Sequence, residues 1–310
     1  MLVSLIPFFL VVRLAVDENA WTNGPEFVFN VEKNSTTTPI NHDDIQLNNY
    51  TTLNLYCRPK GSDSLVCHLT NAKKVCTDLT NLKKVDADES DVKLINNKTF
   101  EIKFNNHGID FLIVDKNTFT YTVNTMKMIS DLLNIGADLN GKPDGTFEEE
   151  ESSTLGKCNV TFEIKHHPSR DVSRKMSNTR YELESLPQLN KVSGETIEIT
   201  KSRNLDNCSC YASFFYGIYG ENTVVDIEVD VHLKSSESRI MVSDTKYVSS
   251  TATTGLIGLQ ENSTQSDLRE TTTLTLTDIR AAQGEFPVIE RRSKTIIVAN
   301  TEVERMFPVK

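Results

Sequence analysis

Apolar and polar residues alternate along much of this chain, which is typical of β-strands with one buried face. The clearest run is residues 225–233, in which every odd position is apolar and every even position is polar. Residues 100–104, 159–165 and 196–200 show the same alternation. Strands this frequent, separated by turn residues, predict a mainly β fold, either a barrel or a sandwich.

One segment has a different period. Between residues 122 and 134, apolar residues recur every three or four positions, which predicts a single amphipathic helix. Its apolar stripe consists of Val123, Met126, Ile129, Leu132 and Leu133. Its polar stripe consists of Asn124, Lys127, Asp131 and Asn134, and Gly136 is the stop signal. We therefore expect an antiparallel β-barrel, or strongly curved sheet, around this helix. Binding of the helix to a membrane surface is the weaker alternative, because the polar stripe carries one lysine.

The first twelve residues, MLVSLIPFFLVV, are almost entirely apolar. Such a run is too short to cross a membrane, which takes about 20 residues, but it fits the apolar region of a secretory signal peptide. We predict a signal peptide over residues 1–16, cleaved between residues 15 and 20. A buried N-terminal strand is the less favoured alternative, because Pro7 interrupts the run and nothing in it alternates. No other segment is apolar enough to span a membrane, so we expect a secreted, extracellular chain.

Acceptor triplets for N-linked glycans agree with secretion. The triplet Asn-x-Ser/Thr occurs at Asn34, Asn49, Asn97, Asn159 and Asn262. Asn207 also fits the triplet but is the poorest candidate, because its middle residue is Cys208.

Six cysteines fall into two groups, Cys57, Cys67 and Cys76 early, and Cys158, Cys208 and Cys210 later. Six cysteines allow 15 connectivities. Because Cys158 begins one predicted strand and Cys208 follows another, we predict a disulfide between them, with Cys210 as the partner if the register shifts. A second bond, Cys57–Cys67, is expected across a hairpin and leaves Cys76 over.

Charge and motifs exclude several classes of function. A formal net charge of −10 argues against nucleic-acid binding, which needs a basic surface. The chain lacks the Gly-x-Ser-x-Gly, His-Glu-x-x-His, Walker A and Gly-x-Gly-x-x-Gly motifs, so we expect no enzyme and no cofactor. His166 and His167 would point to opposite faces of a strand and are not expected to share a metal. The acidic run at 148–151 is interpreted as a solvated linker.

Four stretches match one family in their order and spacing. The first is the segment from Trp21 to Phe29 with Gly24-Pro25-Glu26, and the second is the hairpin at 53–69. The third is the strand–strand–helix passage from Phe100 to Leu133, which includes Asn124 and Lys127. The fourth consists of residues 148–162, with a Gly-x-Cys motif, and residues 199–208, with a Lys-x-Arg…Cys motif. Together they resemble the N-terminal module of the vitellogenin family, the large lipid transfer proteins. The resemblance covers roughly residues 21–280 and leaves 281–310 as a C-terminal tail.

The resemblance implies lipid transport and contact with a lipoprotein receptor. It points to Lys201 and Arg203 as receptor-binding residues, since the pair lies in the segment that resembles the family's receptor contact. Residues two apart on a strand project from the same side, and Ile199 shares that side. The chain would therefore have to twist, bulge or leave the sheet near Thr200 for the cations to reach water. The alternative is an ordinary solvated strand end.

Two functions remain open. The chain could be a secreted lipid-transport relative that binds lipid and contacts a receptor. It could also be a lipid-free secreted interaction module that binds receptors or other proteins. Bulk lipid carriage needs a large apolar cavity, and this chain stops at Lys310, about where the family's helical region would start. We therefore expect a protein that consists of the barrel module alone.

Overall fold

The computed structural model of the protein describes ten stretches of the chain. They are residues 2–7, 9–14, 23–40, 46–85, 90–168, 181–185, 194–208, 229–259, 265–284 and 295–299.

Strands dominate these stretches, as the alternating sequence predicts. In chain order the elements are β1 (Leu2–Ile6), β2 (Leu10–Leu14), β3 (Pro25–Pro39), β4 (Leu47–Pro59), β5 (Ser64–Asp78), β6 (Lys83–Val85), α1 (Ser90–Ile95), β7 (Lys98–Asn105), β8 (Gly108–Asp115), α2 (Thr120–Asp131), β9 (Gly145–Ser153), β10 (Gly156–Pro168), β11 (Tyr181–Ser185), β12 (Glu195–Asn204), β13 (Val229–Val242), β14 (Tyr247–Leu259), β15 (Gln265–Ala281) and β16 (Thr295–Ala299).

The strands form two antiparallel sheets. The large sheet has 13 strands in the order β16-β8-β7-β5-β4-β3-β15-β14-β13-β12-β10-β9, with β6 paired to β5. The small sheet has the order β1-β2-β11. The mainly β, antiparallel architecture is as predicted, but the prediction of a closed barrel is wrong for the described residues. The outermost strands, β16 and β9, do not pair with each other, so the large sheet is open.

A side chain bridges two strands, β8 and β9, that the backbone does not join. The amide N–H of Ile109 in β8 donates to Asn134 Oδ1 at 3.0 Å, and Asn134 Nδ2 donates to the carbonyl of Ser152 in β9 at 3.2 Å. Gly108 leaves room for this side chain, since a Cβ there would lie 2.0 Å from Asn134 Oδ1. The two strands therefore come close together, and a carboxamide takes the place of backbone pairing. We call this contact the Asn134 seam.

Helix α2 packs in the apolar core against the buried side of the large sheet. All five residues of its predicted apolar stripe are buried, as expected. The helix ends at Asp131, earlier than predicted, and Leu132 begins the following turn, where its carbonyl accepts a hydrogen bond from Tyr247 at 2.9 Å. Burial raises the pKa of the Tyr247 phenol, which therefore stays protonated. The predicted polar stripe is not simply solvated, because Lys127 and Asn134 are each 1% exposed.

The N-terminal segment forms a buried hairpin in the full chain. Strand β2 pairs with both β1 and β11, and its inward side chains are among the least exposed in the described part. A buried N-terminal strand is the less favoured of the two interpretations of this apolar run. Pro7 lies at the turn between the two strands, so it does not interrupt either of them. Removal of the segment during secretion stays a prediction.

Hydrogen bonds continue the pairing of the neighbouring strands β3 and β15 beyond the start of β3 and the end of β15. Ala282 N donates to the carbonyl of Gly24 at 3.0 Å, and Asn23 Nδ2 donates to the carbonyl of Ala282. Arg58 Nη1, from β4 on the other side of β3, donates to the carbonyl of Gly284 at 2.6 Å. Strand β16, within the predicted tail at 281–310, also joins this sheet by pairing with β8.

Both expected disulfides are present. Cys57 pairs with Cys67 across the β4–β5 hairpin, and Cys158 pairs with Cys208 over a sequence separation of 50 residues. Closing a loop of that length stabilises a fold by about 4 kcal/mol in the loop-entropy model. Cys76 is a free cysteine, and Cys210 lies outside the described residues.

We expect Asn134→Ala to lower the free energy of unfolding by about 2 kcal/mol, because it leaves Ile109 N–H and the Ser152 carbonyl without this partner. Asn140→Ala is the matched control, since Asn140 is exposed and a change there should stay within about 0.5 kcal/mol. Urea denaturation followed by circular dichroism measures both. Equal free energies of unfolding for the two variants would contradict a bridging role of the Asn134 side chain between β8 and β9.

Candidate functional site

Lys201 and Arg203 lie on the inner face of the large sheet, not at its surface. Strand β12 is paired on both sides, with β10 and with β13. Its register with β10 runs without a shift from Asn159 to Pro168, so the chain neither bulges nor leaves the sheet near Thr200. The side chains of Lys201 and Arg203 are 1% and 4% exposed. The expectation that these cations reach water is therefore wrong in this structure.

The counter-charge for both cations is Glu151, whose side chain is 0% exposed. Lys201 Nζ lies 2.6 Å from Glu151 Oε1, and Arg203 Nε lies 2.8 Å from Glu151 Oε2. Arg203 Nη2 also donates to Oε1 at 3.3 Å. We call these three residues the Glu151 triad. The interpretation of residues 148–151 as a solvated linker is wrong, because they belong to strand β9 and the last of them faces inward.

Neighbouring oxygen atoms accept further hydrogen bonds from the two cations. Lys201 Nζ donates to the backbone carbonyl of Asn134 at 2.9 Å. Arg203 Nη1 donates to Ser238 Oγ at 2.8 Å and to Ser236 Oγ at 3.3 Å. A single polar cluster therefore joins β9, β12 and β13 to the turn that follows α2. These hydrogen bonds offset part of the free-energy cost of burying the two charges.

A glycine gives the Glu151 carboxylate its space. Gly136, in the turn after α2, has a φ of +82°, and a Cβ at this position would lie 2.4 Å from Glu151 Oε1. Any other residue would collide with the carboxylate and would also strain the backbone. The predicted stop signal of the helix is therefore required for close approach of the helix turn to the triad.

The triad shifts the pKa values of its own members. Burial alone would raise the pKa of the Glu151 carboxyl, but Arg203 and Lys201 outweigh the burial and hold the pKa below its ordinary value. Burial lowers the pKa of the Lys201 amine, and Glu151 opposes that change. Asp131 at the end of α2 also acts to raise the Lys201 pKa. The cluster is thus two buried cations around one ionised carboxylate.

The Cys158–Cys208 disulfide lies directly beside the triad. Cys158 in β10 is the register partner of Glu151 in β9. After β12, a 3-10 turn over Leu205–Asn207 returns the chain to Cys158, and the Asn204 side chain accepts a hydrogen bond from Asp206 N. The bond therefore fixes the end of the strand that carries Lys201 and Arg203.

Sequence reasoning missed Glu151, Asn134 and Ser238 as members of this cluster. A signal for Glu151 exists, because only Thr154 and Leu155 separate β9 from β10. A hairpin connection that short fixes the register and places Glu151 on the same side as Cys158. No comparable local signal marks Asn134 or Ser238, which reach the site only through the fold.

The two predicted surface histidines lie apart. His166 contacts Asp144, and His167 Nε2 lies 2.8 Å from Glu198 Oε2 on another strand. Arg239 also pairs with Glu198, and these bonds lower the pKa of the Glu198 carboxyl. Among the described residues no group of three or more histidine, cysteine or acidic residues could hold a metal ion.

The predicted glycosylation sites differ in their surroundings. Asn34, Asn97 and Asn159 are exposed, and Asn49 is half-buried in β4. Asn262 lies outside the described residues. Modification of these residues stays a prediction.

Comparisons with known proteins agree on one family. Residues 21–284 match the family described as the vitellogenin N-terminal domain. Vitellogenin-1 of Solenopsis invicta is 26% identical over 162 residues, a match that covers 47% of this chain and 9% of that protein. A solved structure titled "Lipid-protein interactions in lipovitellin" matches the fold with a TM-score of 0.56 at 9% identity, over 86% of this chain and 26% of the other.

The mainly β fold, with a large open antiparallel sheet and few helices, is thus similar to the fold of lipovitellin. The chain belongs to the vitellogenin N-terminal domain family. The matched region amounts to a small part of each relative, 9% of the vitellogenin and 26% of the lipovitellin chain.

Replacing Glu151 should cost far more stability than replacing Lys201. Glu151→Gln leaves two buried cations uncompensated, and we expect a loss of about 3–5 kcal/mol in the free energy of unfolding. Lys201→Met leaves the Arg203–Glu151 pair intact and should cost about 1–2 kcal/mol. Each variant removes one charge, so each is the control for the other in urea denaturation. A larger loss for Lys201→Met would show that the carboxylate is not the centre of the cluster.

The triad should also weaken in acid. Because the pKa of Glu151 is depressed in the folded state, its contribution to stability is fully present above its ordinary value of 4.5. This contribution is lost as the pH falls through the depressed pKa. We therefore expect the stability difference between the unmodified chain and Glu151→Gln to shrink below about pH 4.5. Chemical denaturation at pH 7, 5 and below about 4 measures it, and a difference independent of pH would refute the linkage.

Proposed function

We propose that this protein is a secreted, non-enzymatic member of the lipid-transport family whose module binds other proteins and does not itself enclose lipid. The main observation in support is that α2 and the Glu151 triad occupy the buried side of the large sheet. That is the space in which a barrel would otherwise hold a ligand. Family membership relates the chain to lipid transport, whereas the packing of its interior favours the interaction role.

The cavities of the described residues support the same proposal. Two cavities have volumes of about 190 Å³ and 40 Å³. Pockets for drug-sized ligands typically measure about 300–1,000 Å³. The smaller cavity is lined by charged and hydroxyl side chains such as Arg203, Ser236 and Glu270 together with apolar ones such as Met128 and Leu132. In the full chain, both cavities are smaller than a typical ligand pocket.

Contact with a lipoprotein-type receptor remains part of the proposal, but not through Lys201 and Arg203. A receptor recognises cations that it can reach, and attraction between surface charges mainly raises the rate of encounter. The two buried cations are already neutralised in part by Glu151 and have no exposed donor. Their proposed role is to fix α2 and strands β9, β12 and β13 in position.

Secretion is proposed from the apolar N-terminal segment, the acceptor asparagines and the two disulfides, which persist in oxidising compartments. Across the described stretches of the chain, no helix combines the length and apolar character needed to cross a membrane.

Native mass spectrometry of the chain collected from culture medium tests this proposal. We expect the mass of the glycosylated polypeptide alone, because α2 and the Glu151 triad, which do not include residues 1–16, occupy the buried side of the large sheet. The sample is then incubated with phosphatidylcholine vesicles, purified again and remeasured, with the same result expected. A stoichiometric phospholipid or triglyceride adduct in either sample would favour the lipid-binding alternative.

A further inference from the structure

The N-terminal hairpin closes over a cavity beside the Asn134 seam. Ile6, Pro7 and Phe9 face this cavity of about 190 Å³, whose other walls come from the β7–β8 turn and the chain after α2. The lining is mixed: its apolar members are Phe104, Leu133, Ile135, Ala137 and Leu139, and its polar members are Asn105, Asn106, His107, Asp138 and Asn140. Together with the edge of strand β11, we call this surface the N-terminal groove.

The hairpin is an integral part of the core in the full chain. Its buried side chains, each exposed by 4% or less, are Leu5, Ile6, Phe9, Leu10, Val12 and Leu14. They belong to the same apolar cluster as Phe104 and Leu133. If residues 1–16 are removed on secretion, as proposed above, all of these contacts are lost at once. The groove and one edge of β11 are then uncovered, and such a surface favours association with another strand.

Strand β11 specifies what the groove can accept. It pairs antiparallel with β2, from Tyr181 opposite Leu14 to Ser185 opposite Leu10. Leu183 in its middle is fully buried opposite Val12, and Leu183 N is held from the other side by the carbonyl of Asp244. This hydrogen bond does not involve residues 1–16, which we call the leader, so we expect it to remain after the leader is removed.

The outward side of β11 is acidic. Glu182 and Glu184 flank Leu183, and Arg13 of β2 lies 2.6 Å from Glu184. A strand seated on β11 therefore places its inner side chains in the apolar core, as Leu10, Val12 and Leu14 do, and meets carboxylates on its outer side. The best occupant is an extended peptide with apolar residues at alternate positions and a basic residue at the Arg13 position, opposite Glu182 and within reach of Glu184.

We infer that the secreted protein uses the N-terminal groove to bind an extended strand of a partner protein, with alternating apolar residues and a cation at the position of Arg13. Strand addition satisfies the backbone groups of the β11 edge, and alternate side-chain contacts supply selectivity. A lipid chain would satisfy neither the β11 backbone nor Glu184. This inference rests on the proposed secretion with removal of the leader.

The experiment uses the chain from culture medium, with its N-terminus determined by intact mass after glycan removal. The probe is a synthetic peptide of residues 2–14 on a soluble fluorescent tag, measured by fluorescence anisotropy. We expect saturable binding, weakened at least tenfold by Val12→Asp in the peptide, because Val12 faces inward. Arg13→Glu in the peptide should weaken binding several-fold, and Glu184→Lys in the protein should restore it. Glu184 is partly exposed, so this change leaves the core intact.

The outcomes separate the two proposals. Absence of the chain from the medium contradicts the proposed secretion. A secreted chain that still begins at residue 1 or 2 overturns the inference but leaves secretion intact, because the groove is then permanently filled. A processed chain that does not bind the peptide, or that binds the Val12→Asp peptide as tightly as the unmodified peptide, also overturns the inference. Loss with Arg13→Glu and rescue by Glu184→Lys supports it, because a structural effect would not depend on the sign of both charges.

Discussion

The position of the helix within this fold depends on one buried carboxylate. Glu151 takes a fully buried place because two cations and a neighbouring glycine are arranged around it. Removing charges from water is costly, so the cluster can exist only where its hydrogen bonds are complete. This requirement fixes the relative positions of β9, β12 and β13 and of the turn after α2. A buried ion cluster is weak evidence for stability, but here it accounts for a single arrangement of the helix within the sheet.

The Glu151 triad also explains how a chain related to lipid-transport proteins can have a filled interior among its described residues. A helix anchored at its end by the triad and by Tyr247 cannot move aside without breaking several buried hydrogen bonds at once. The Asn134 seam adds a second fixed point, since one carboxamide joins β8 to β9. The surface next to this seam is rigidly supported from inside, which suits it to present a binding groove.

Local patterns predicted most strands of the large sheet, the helix stripe and both disulfides, because each depends on periodicity or on cysteines at the ends of predicted strands. They did not predict β1, β2, β9 or β11. They failed for Lys201 and Arg203. The parity of these residues with Ile199 placed them on the buried side, yet the charge alone suggested that they must leave it. The neutralising partner is Glu151, 50 residues earlier, in a run that looks like a solvated linker. Local patterns also could not predict that the sheet is open. Closure depends on whether β9 pairs with β16, and no local signal determines that pairing.

Lys201 lies inside the protein, and amine acetylation of the native chain followed by peptide mass spectrometry tests its burial directly. The exposed Lys73, Lys83 and Lys157 serve as internal references in the same sample. We expect these three to be modified quickly and Lys201 to remain unmodified until the chain is unfolded in urea. Acetylation of native Lys201 at the rate of the references would contradict the buried triad and would return Lys201 to the set of surface cations that a receptor could reach.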